Sequence, residues 1–598
     1  MTEANVASGA EVSQSNGNHS ESEARQAVHW PTMPDGANER SFNEHCGADG
    51  KQCILLGDLP LRTLTDRVLA ILHKANQIER FIFQRSGKLV TIRTVKRERD
   101  RDGQIVQEKI IAEIDIDTLR SMLTERINFV QVRANGQSVH VDPPLNLLKN
   151  ILVLGDWPFP VLAGITEVPV LRKDGSVLLD PGYDRITQLL YVPSNTVEMP
   201  KPPDHPTQQD ASEAVRVLME AIGDFPFDSP ASEANAIASL ITPIVRPAIE
   251  GHIPFELIDA TRAGTGKSKL ADIKAYTATG RKAAFKTPPE SPGEWRKIIT
   301  TTLMEGTTVN IIDNVRAKID SAALDALITA HSWSDRLLGG NENVTLPNKG
   351  VWAATGNNIT IGGDLPRRCY IIRLDAGVAK PWKRTGSPPI FDENDDTGEP
   401  YEVENSAHTF IDLDAWLPEN RGRIIAAILT IARAWYEAGK PQGNDLPTFG
   451  SFEEWTRVIG GMLAYAGVYG FLANLDSFQD EADYETQQWA RFLQALRDQY
   501  GDEAFTTADI ATLVLYDPSP GVTAIAENPL ADTLPDYVTS NRVKSSQDFK
   551  HSLGIAFTKR KGTVYDDDTK LCLTRHENTH THTTKWSVGV KRPVKTRR

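Results

Sequence analysis

Apolar residues recur at helical spacing from about Leu59 onward. In LRTLTDRVLAILHKA, residues Leu64, Val68, Leu69, Ile71 and Leu72 share one face, which predicts a helix. RFIFQRSGKLVTIRTV predicts a hairpin, with strands at 81–84 and 89–95 around a Ser86-Gly87 turn. IDIDTLRSMLTERINFVQV predicts a helix capped by Asp115 or Asp117, followed by a strand. PPLNLLKNILV predicts a further helix opened by proline. Beyond the polar, proline-rich KPPDHPTQQ, two amphipathic helices are expected at about 210–222 and 232–249, then the apolar strand PFELIDA. Residues 405–500 read as mostly helical, and the stretch from about Phe505 as a helix, loops and strands.

Length changes the picture first. The chain has 598 residues, too many for one hydrophobic core, so two to four domains are expected. Residues 1–54 form an acidic leader expected to be disordered, since they hold few aliphatics to bury. An α+β domain is expected at 55–200, a linker at 201–208, an α/β core at 209–400, a helical region at 401–500, a further small domain at 501–590 and a basic tail at 591–598. No apolar run approaches the roughly 18 residues of a membrane span, and the start of the chain lacks a charged-then-apolar signal. Four cysteines exclude a disulfide scaffold and suit a reducing cytoplasm.

The net charge of −14 argues against nonspecific coating of nucleic acid by the whole protein. Local basic stretches remain. Residues 80–110 carry nine basic and four acidic side chains, and Lys585 to Arg598 carries six basic and none acidic. Either stretch suits phosphate contact or simple solvation.

The chemistry concentrates after PFELIDA. TRAGTGKSK runs Thr261, Arg262, Ala263, Gly264, Thr265, Gly266, Lys267, Ser268, Lys269 between an expected strand and an expected helix, the context a P-loop requires. Glycines let backbone N–H groups converge on phosphate oxygens, and the helix presents its positive end to them. Lys267 is assigned to the β and γ phosphates and Ser268 to Mg²⁺. Thr261 stands where the first glycine of such a loop is usual, so the start of the loop must differ.

TTVNIIDNV is a β-branched apolar run ending in Asp313, which suits a strand whose tip carries a second Mg²⁺ contact. The next residue is Asn314, an amide that orients water but accepts no proton. Glu294 and Asp335 are the alternative bases, each weighed against a plain salt bridge. In KGVWAATGNNITIGGDLPRRCYIIRLDA, Asn357 sits past a buried strand and is a candidate γ-phosphate sensor, against the plainer reading of a turn residue. Arg367 and Arg368 precede another strand, and either is a candidate finger for a neighbouring subunit's nucleotide, with Arg336 behind them.

Together ATRAGTGKS, EWRKIITTTLMEG-TTVNIIDNV, WSDRLLG, ATGNN and DLPRRCYIIRLDA resemble the ATPase module of phage- and plasmid-type primase-helicases, within the AAA+ and superfamily 3 helicases. GSFEEWTRVIGGMLAYAGVYGFLANLD is similar to their helical region, and the C-terminal stretch to their winged-helix ending. The resemblance spans about residues 60–590. It implies an α/β fold with a P-loop core, an N-terminal α+β domain, a helical region and a winged helix. It implies ATP and Mg²⁺ as cofactors, DNA as partner and a ring, often hexameric, acting with a primase or another replication protein. It also implies that Lys349, near a hairpin after Asp335, grips the strand backbone. No primase site is recognised. The competing expectations are an ATP-switched replication initiator and an effector NTPase in phage defence. Cys572, His576, His580 and His582 are spaced thinkably for zinc, as are His45, Cys46 and Cys53, but paired CxxC ligands are absent and a solvent-facing hairpin suits the former better.

Overall fold

The computed structural model describes residues 51–57, 59–99, 105–194, 199–337, 343–383, 412–443, 446–482, 484–519, 522–539, 545–565, 569–577 and 584–591. The chain divides into two compact units, one of residues 1–93 and 111–162, the other of residues 94–110 and 163–598. Among the described residues no helix is long and apolar enough to cross a membrane.

In the first unit, β1 (Gln52–Leu56) pairs in parallel with β5 (Ile127–Val132), and β6 (Ser138–His140) pairs antiparallel to β5. Helices α1 (Leu61–Ile78) and α2 (Ile116–Arg126) lie between β1 and β5 in sequence, and α3 (Leu145–Val153) follows β6. Leu64, Val68, Leu69 and Leu72 are buried with Leu119, Leu123, Leu147 and Ile151 in one core. Asp115 caps α2 by accepting from the Thr118 N–H at 2.7 Å. The expected hairpin is present: Ser86 and Gly87 take φ of 53° and 75°, the turn that matches strand twist, between β2 (Phe83–Arg85) and β3 (Lys88–Arg99). The long strands β3 and β4 (Ile105–Glu113) place residues 94–110 in the second unit.

Two boundaries differ from expectation. β1 begins at Gln52, inside the stretch assigned to the leader, because its apolar residues pair with β5. The first unit ends at 162 rather than 200. Strands β7 (Gly164–Thr166) to β11 (Leu189–Tyr191) are two or three residues each, too short to enclose a core alone; Val170, Leu171, Leu178 and Leu189 bury with the second unit's main core. Cys53 is disulfide-bonded, whereas Cys369 and Cys572 are free.

The second unit is built on a five-stranded parallel sheet. Its strands are β12 (Phe255–Ala260), β13 (Phe285–Lys286), β14 (Val309–Val315), β17 (Val351–Asn357) and β18 (Cys369–Leu374), in the order β13-β14-β17-β12-β18. All six residues of β12 are buried, as a central parallel strand requires. Helix α5 (Pro230–Val245), capped by Ser229, packs on β18. Helix α6 (Lys267–Thr279) packs on β12, β14 and β17. The antiparallel hairpin β15 (Ser332–Arg336) and β16 (Asn343–Pro347) follows β14, and its tip, 338–342, lies outside the described residues. Helix α4 (Gln208–Ile222), with a Thr207–Asp210 capping box, packs on α9 (Leu413–Glu437), and α10 (Glu453–Tyr465) adds to the same core.

The last part has a separate core. α12 (Tyr484–Tyr500), α13 (Thr507–Val514) and α15 (Ser546–Arg560) bury Trp489, Phe492, Phe549 and Phe557 with Trp586 of the hairpin β21 (Leu571–Glu577) and β22 (Thr584–Val590). Phe505 bridges to Trp586, adding a one-residue third strand. The tip of this hairpin, with His580 and His582, lies outside the described residues, as do the acidic leader with His45 and Cys46 and the tail from 592.

Candidate functional site at the carboxyl ends of the sheet

Parallel pairing brings β12, β17 and β14 side by side, with Ala260 opposite Asn357 and Ile312 opposite Ala354. Their carboxyl ends therefore meet, and in open α/β sheets that edge is where ligands bind. Residues 261–266 leave β12 as a tight loop, and α6 starts at Lys267. The left-handed positions are Gly264 (φ 80°) and Gly266 (φ 114°), not Thr261. Glycine is needed where φ is positive. At 261 the hydroxyl donates to Asp375 Oδ1 at 3.2 Å and ties the loop to the segment after β18. Thr265 Oγ1 donates to the Arg262 carbonyl at 2.6 Å and closes the loop on itself. Arg262, Ala263, Gly264 and Lys269 are exposed.

Lys267 is 8% exposed, and its Nζ donates to Asn357 Oδ1 at 2.6 Å and to the Arg262 carbonyl at 3.4 Å. Burial pulls its pKa below the ordinary lysine value; the carboxylates of Asp259 and Asp313 pull it back up. Ser268 Oγ donates to Asp313 Oδ1 at 3.1 Å. Asp313 also accepts from the Thr355 hydroxyl, which in turn accepts the Asn314 N–H at 3.2 Å. The β14–β17 register shifts between Ile312 and Val315, and Asn314 takes φ 61°. This bulge turns Asp313 toward the serine while Asn314 is exposed at the strand tip.

Thr355 and Asp259 were not singled out from sequence. Asp259 is 4% exposed and accepts the Ile359 N–H at 3.0 Å, which fixes the turn holding Asn357 and Asn358. Burial raises its pKa, opposed by that N–H and by Arg373. Carboxylates inside a buried strand were the available signal, and FELIDA shows two, Glu256 and Asp259.

The two arginines separate. Arg368 donates to the carbonyl of Asp325, to Thr329 Oγ1 at 3.0 Å and to Asp364 at 2.8 Å, with only 14% of its side chain exposed. Arg367 is exposed and forms a bidentate pair with Asp364 at 3.0 and 2.6 Å. Asp335 is taken up by Arg296, by Thr300 at 3.3 Å and by the Arg336 N–H at 2.7 Å. Glu294 pairs with Lys297 at 2.6 Å in the first turn of α7 (Pro292–Glu305). Lys349 follows the β15–β16 hairpin rather than standing on it, and burial, followed by the nearby Arg246 guanidinium, lowers its pKa. Among the described residues no group of three or more His, Cys, Asp or Glu is placed to hold a metal ion. His576 shares a hydrogen bond with Ser587 at 2.8 Å across the hairpin, and Cys572 is buried.

Compared with known proteins, the chain matches no family model and no curated protein.

Proposed function

We propose that the chain is a P-loop ATPase of AAA+/superfamily 3 type. In this reading it is a DNA helicase or translocase acting as a ring, typically a hexamer, in replication of a phage, plasmid or other mobile element. One observation carries the ATPase reading: Lys267, Ser268, Asp313 and Asn357, drawn from three neighbouring strand ends, are joined by hydrogen bonds at 2.6 and 3.1 Å. The Ser268 hydroxyl and Asp313 carboxylate fit Mg²⁺, a hard cation that takes few protein oxygens. A desolvated lysine fits phosphate, which would replace the neutral Asn357 oxygen as its partner. When bound, Mg²⁺-ATP supplies the anhydride bond whose cleavage drives the work. The protein's part is to hold the phosphates on the Gly264–Gly266 backbone, to screen their charge with Lys267 and to keep Asn357 beside the terminal group. Thr355 keeps the Asp313 carboxylate aimed at the serine. Arg367 is the finger candidate this geometry favours, since Arg368 is spent on its own subunit's carbonyl and hydroxyl.

The DNA part of the reading rests on the resemblance and on the C-terminal core, whose three longer helices and terminal β-hairpin suit a winged helix, with a short hairpin (Leu515–Ser519, Val522–Ile525) and a four-residue helix (Asp536–Thr539) between the second and third. DNA contact there would run through phosphates and depend strongly on salt.

A second reading is favoured by Asn314. It stands beside Asp313 where a carboxylate base would serve, and both substitutes, Asp335 and Glu294, are engaged in ion pairs. Slow hydrolysis would suit an initiator that uses ATP as an assembly switch. ATP turnover measured with and without single-stranded DNA, beside light scattering for size, tests both. DNA-stimulated turnover with strand separation supports the motor. ATP-dependent assembly on duplex without unwinding supports the initiator, and neither activity, with nucleotide-gated partner binding, points to an effector NTPase.

A further inference from the structure

Two aromatic rings flank the glycine loop. A Cβ on Gly266 would come within 2.9 Å of Phe225 Cε1, and a Cβ on Gly264 within 2.9 Å of Trp382 Cε3. The two differ in exposure. Phe225 is 6% exposed and belongs to the main core, so packing accounts for it. Trp382 is 63% exposed, although tryptophan is among the side chains that gain most from burial. It stands in a one-turn 3-10 helix, Pro381–Lys383, closed by the Lys383 N–H on the Lys380 carbonyl at 2.9 Å. The start of the same segment is tied to the loop through Asp375, which accepts from Thr261 Oγ1 at 3.2 Å and from the Gly377 N–H at 2.9 Å. The indole is thus held against the loop from a segment attached at Thr261 and at Gly264, with most of its aromatic surface open to solvent.

We propose that Trp382 is the nucleobase contact of this site, stacking on the base of a nucleoside triphosphate whose phosphates occupy the Gly264–Gly266 loop. The proposal rests on the phosphate-loop reading and extends it to the half of the ligand the glycine motif does not address. Stacking on an aromatic ring is available to every base, so the site accepts more than one nucleotide and favours purines by contact area. Phe225 supports the loop from below and does not touch the base.

Calorimetric titration of the full chain with Mg²⁺-ATP and with Mg²⁺ and inorganic tripolyphosphate separates the two layers. Wild type should bind ATP about tenfold more tightly than tripolyphosphate, the scale expected for one stacked base. Trp382→Ala should remove that difference and leave tripolyphosphate binding unchanged, while Trp382→Phe should restore most of it. If Trp382→Ala weakens both ligands equally, the indole only props the loop and the proposal fails. If it weakens neither, the base lies elsewhere and the proposal also fails. Wild type binding neither ligand would overturn the phosphate-loop reading itself, a result distinct from the others.

Discussion

The Ser268 hydroxyl and the Asp313 carboxylate lie 3.1 Å apart although 45 residues separate them in the chain. Neither element brings the other there alone. Ser268 is fixed by the start of α6 and Asp313 by a bulge in β14, and β17 between the two strands supplies Thr355 to the same carboxylate.

If this pair and Lys267 hold Mg²⁺-ATP, Lys267→Ala should abolish turnover while circular dichroism stays native. Normal turnover in that variant would end the site assignment.

Lys267 also carries a stability signature. Its pKa in the folded chain is lowered by burial, so the unfolded chain takes up the proton first as pH falls from high values. The native state is penalised once pH is below the ordinary lysine value of about 10.5. Lys267→Met should therefore melt no lower than wild type at neutral pH, and any advantage should shrink as pH rises toward that value. A lower melting point at pH 7 would contradict this.

Thr355→Val keeps the shape of β17 and removes the hydroxyl that holds Asp313. Supporting groups of this kind are worth about 10–100-fold in metal affinity or activity. Turnover titrated against Mg²⁺ should shift by that order. An unaltered Mg²⁺ titration would show that Thr355 only fills space.

Arg367 and Arg368 should part company on substitution. Arg368→Ala removes the guanidinium bonds to the Asp325 carbonyl, to Thr329 and to Asp364, leaving only the Thr329 hydroxyl on that carbonyl at 3.2 Å, and should cost about 1–3 kcal/mol in denaturant unfolding. Arg367→Ala should leave unfolding unchanged and, mixed with wild type, should depress turnover more than in proportion. Strictly additive activity in mixtures would remove the finger in trans.

Asp335 is held below the usual carboxylate range, first by the Arg296 guanidinium and further by the Arg336 N–H and Thr300. Its contribution is present above the unfolded aspartate pKa and is lost as pH falls through the lowered folded value. Asp335→Asn should lower the thermal midpoint at pH 7, and the gap from wild type should close in acid. A gap independent of pH would mean the charge plays no part.

Much of this was legible without coordinates because it is local. Helical spacing marks α1 and α2, the Ser86-Gly87 pair marks the hairpin, and Gly264 to Ser268 marks a strand-loop-helix turn, since each depends on residues within one or two turns of each other. Asp313 was legible for the same reason, as a carboxylate at the tip of the apolar run TTVNII.

What only the tertiary structure decided are relations between distant segments. Which of two adjacent arginines is buried against its own chain depends on where α8 (Ala322–Ile328) and Thr329 just after it pack. The anchoring of Asp313 depends on β17 lying beside β14, and the aromatic neighbours of the glycine loop come from residues 225 and 382. Periodicity and capping are read along one segment, so they identify elements and the residues at their ends. Sheet order and side-chain pairing arise from burying all segments at once, and that sum does not appear in any single stretch of sequence.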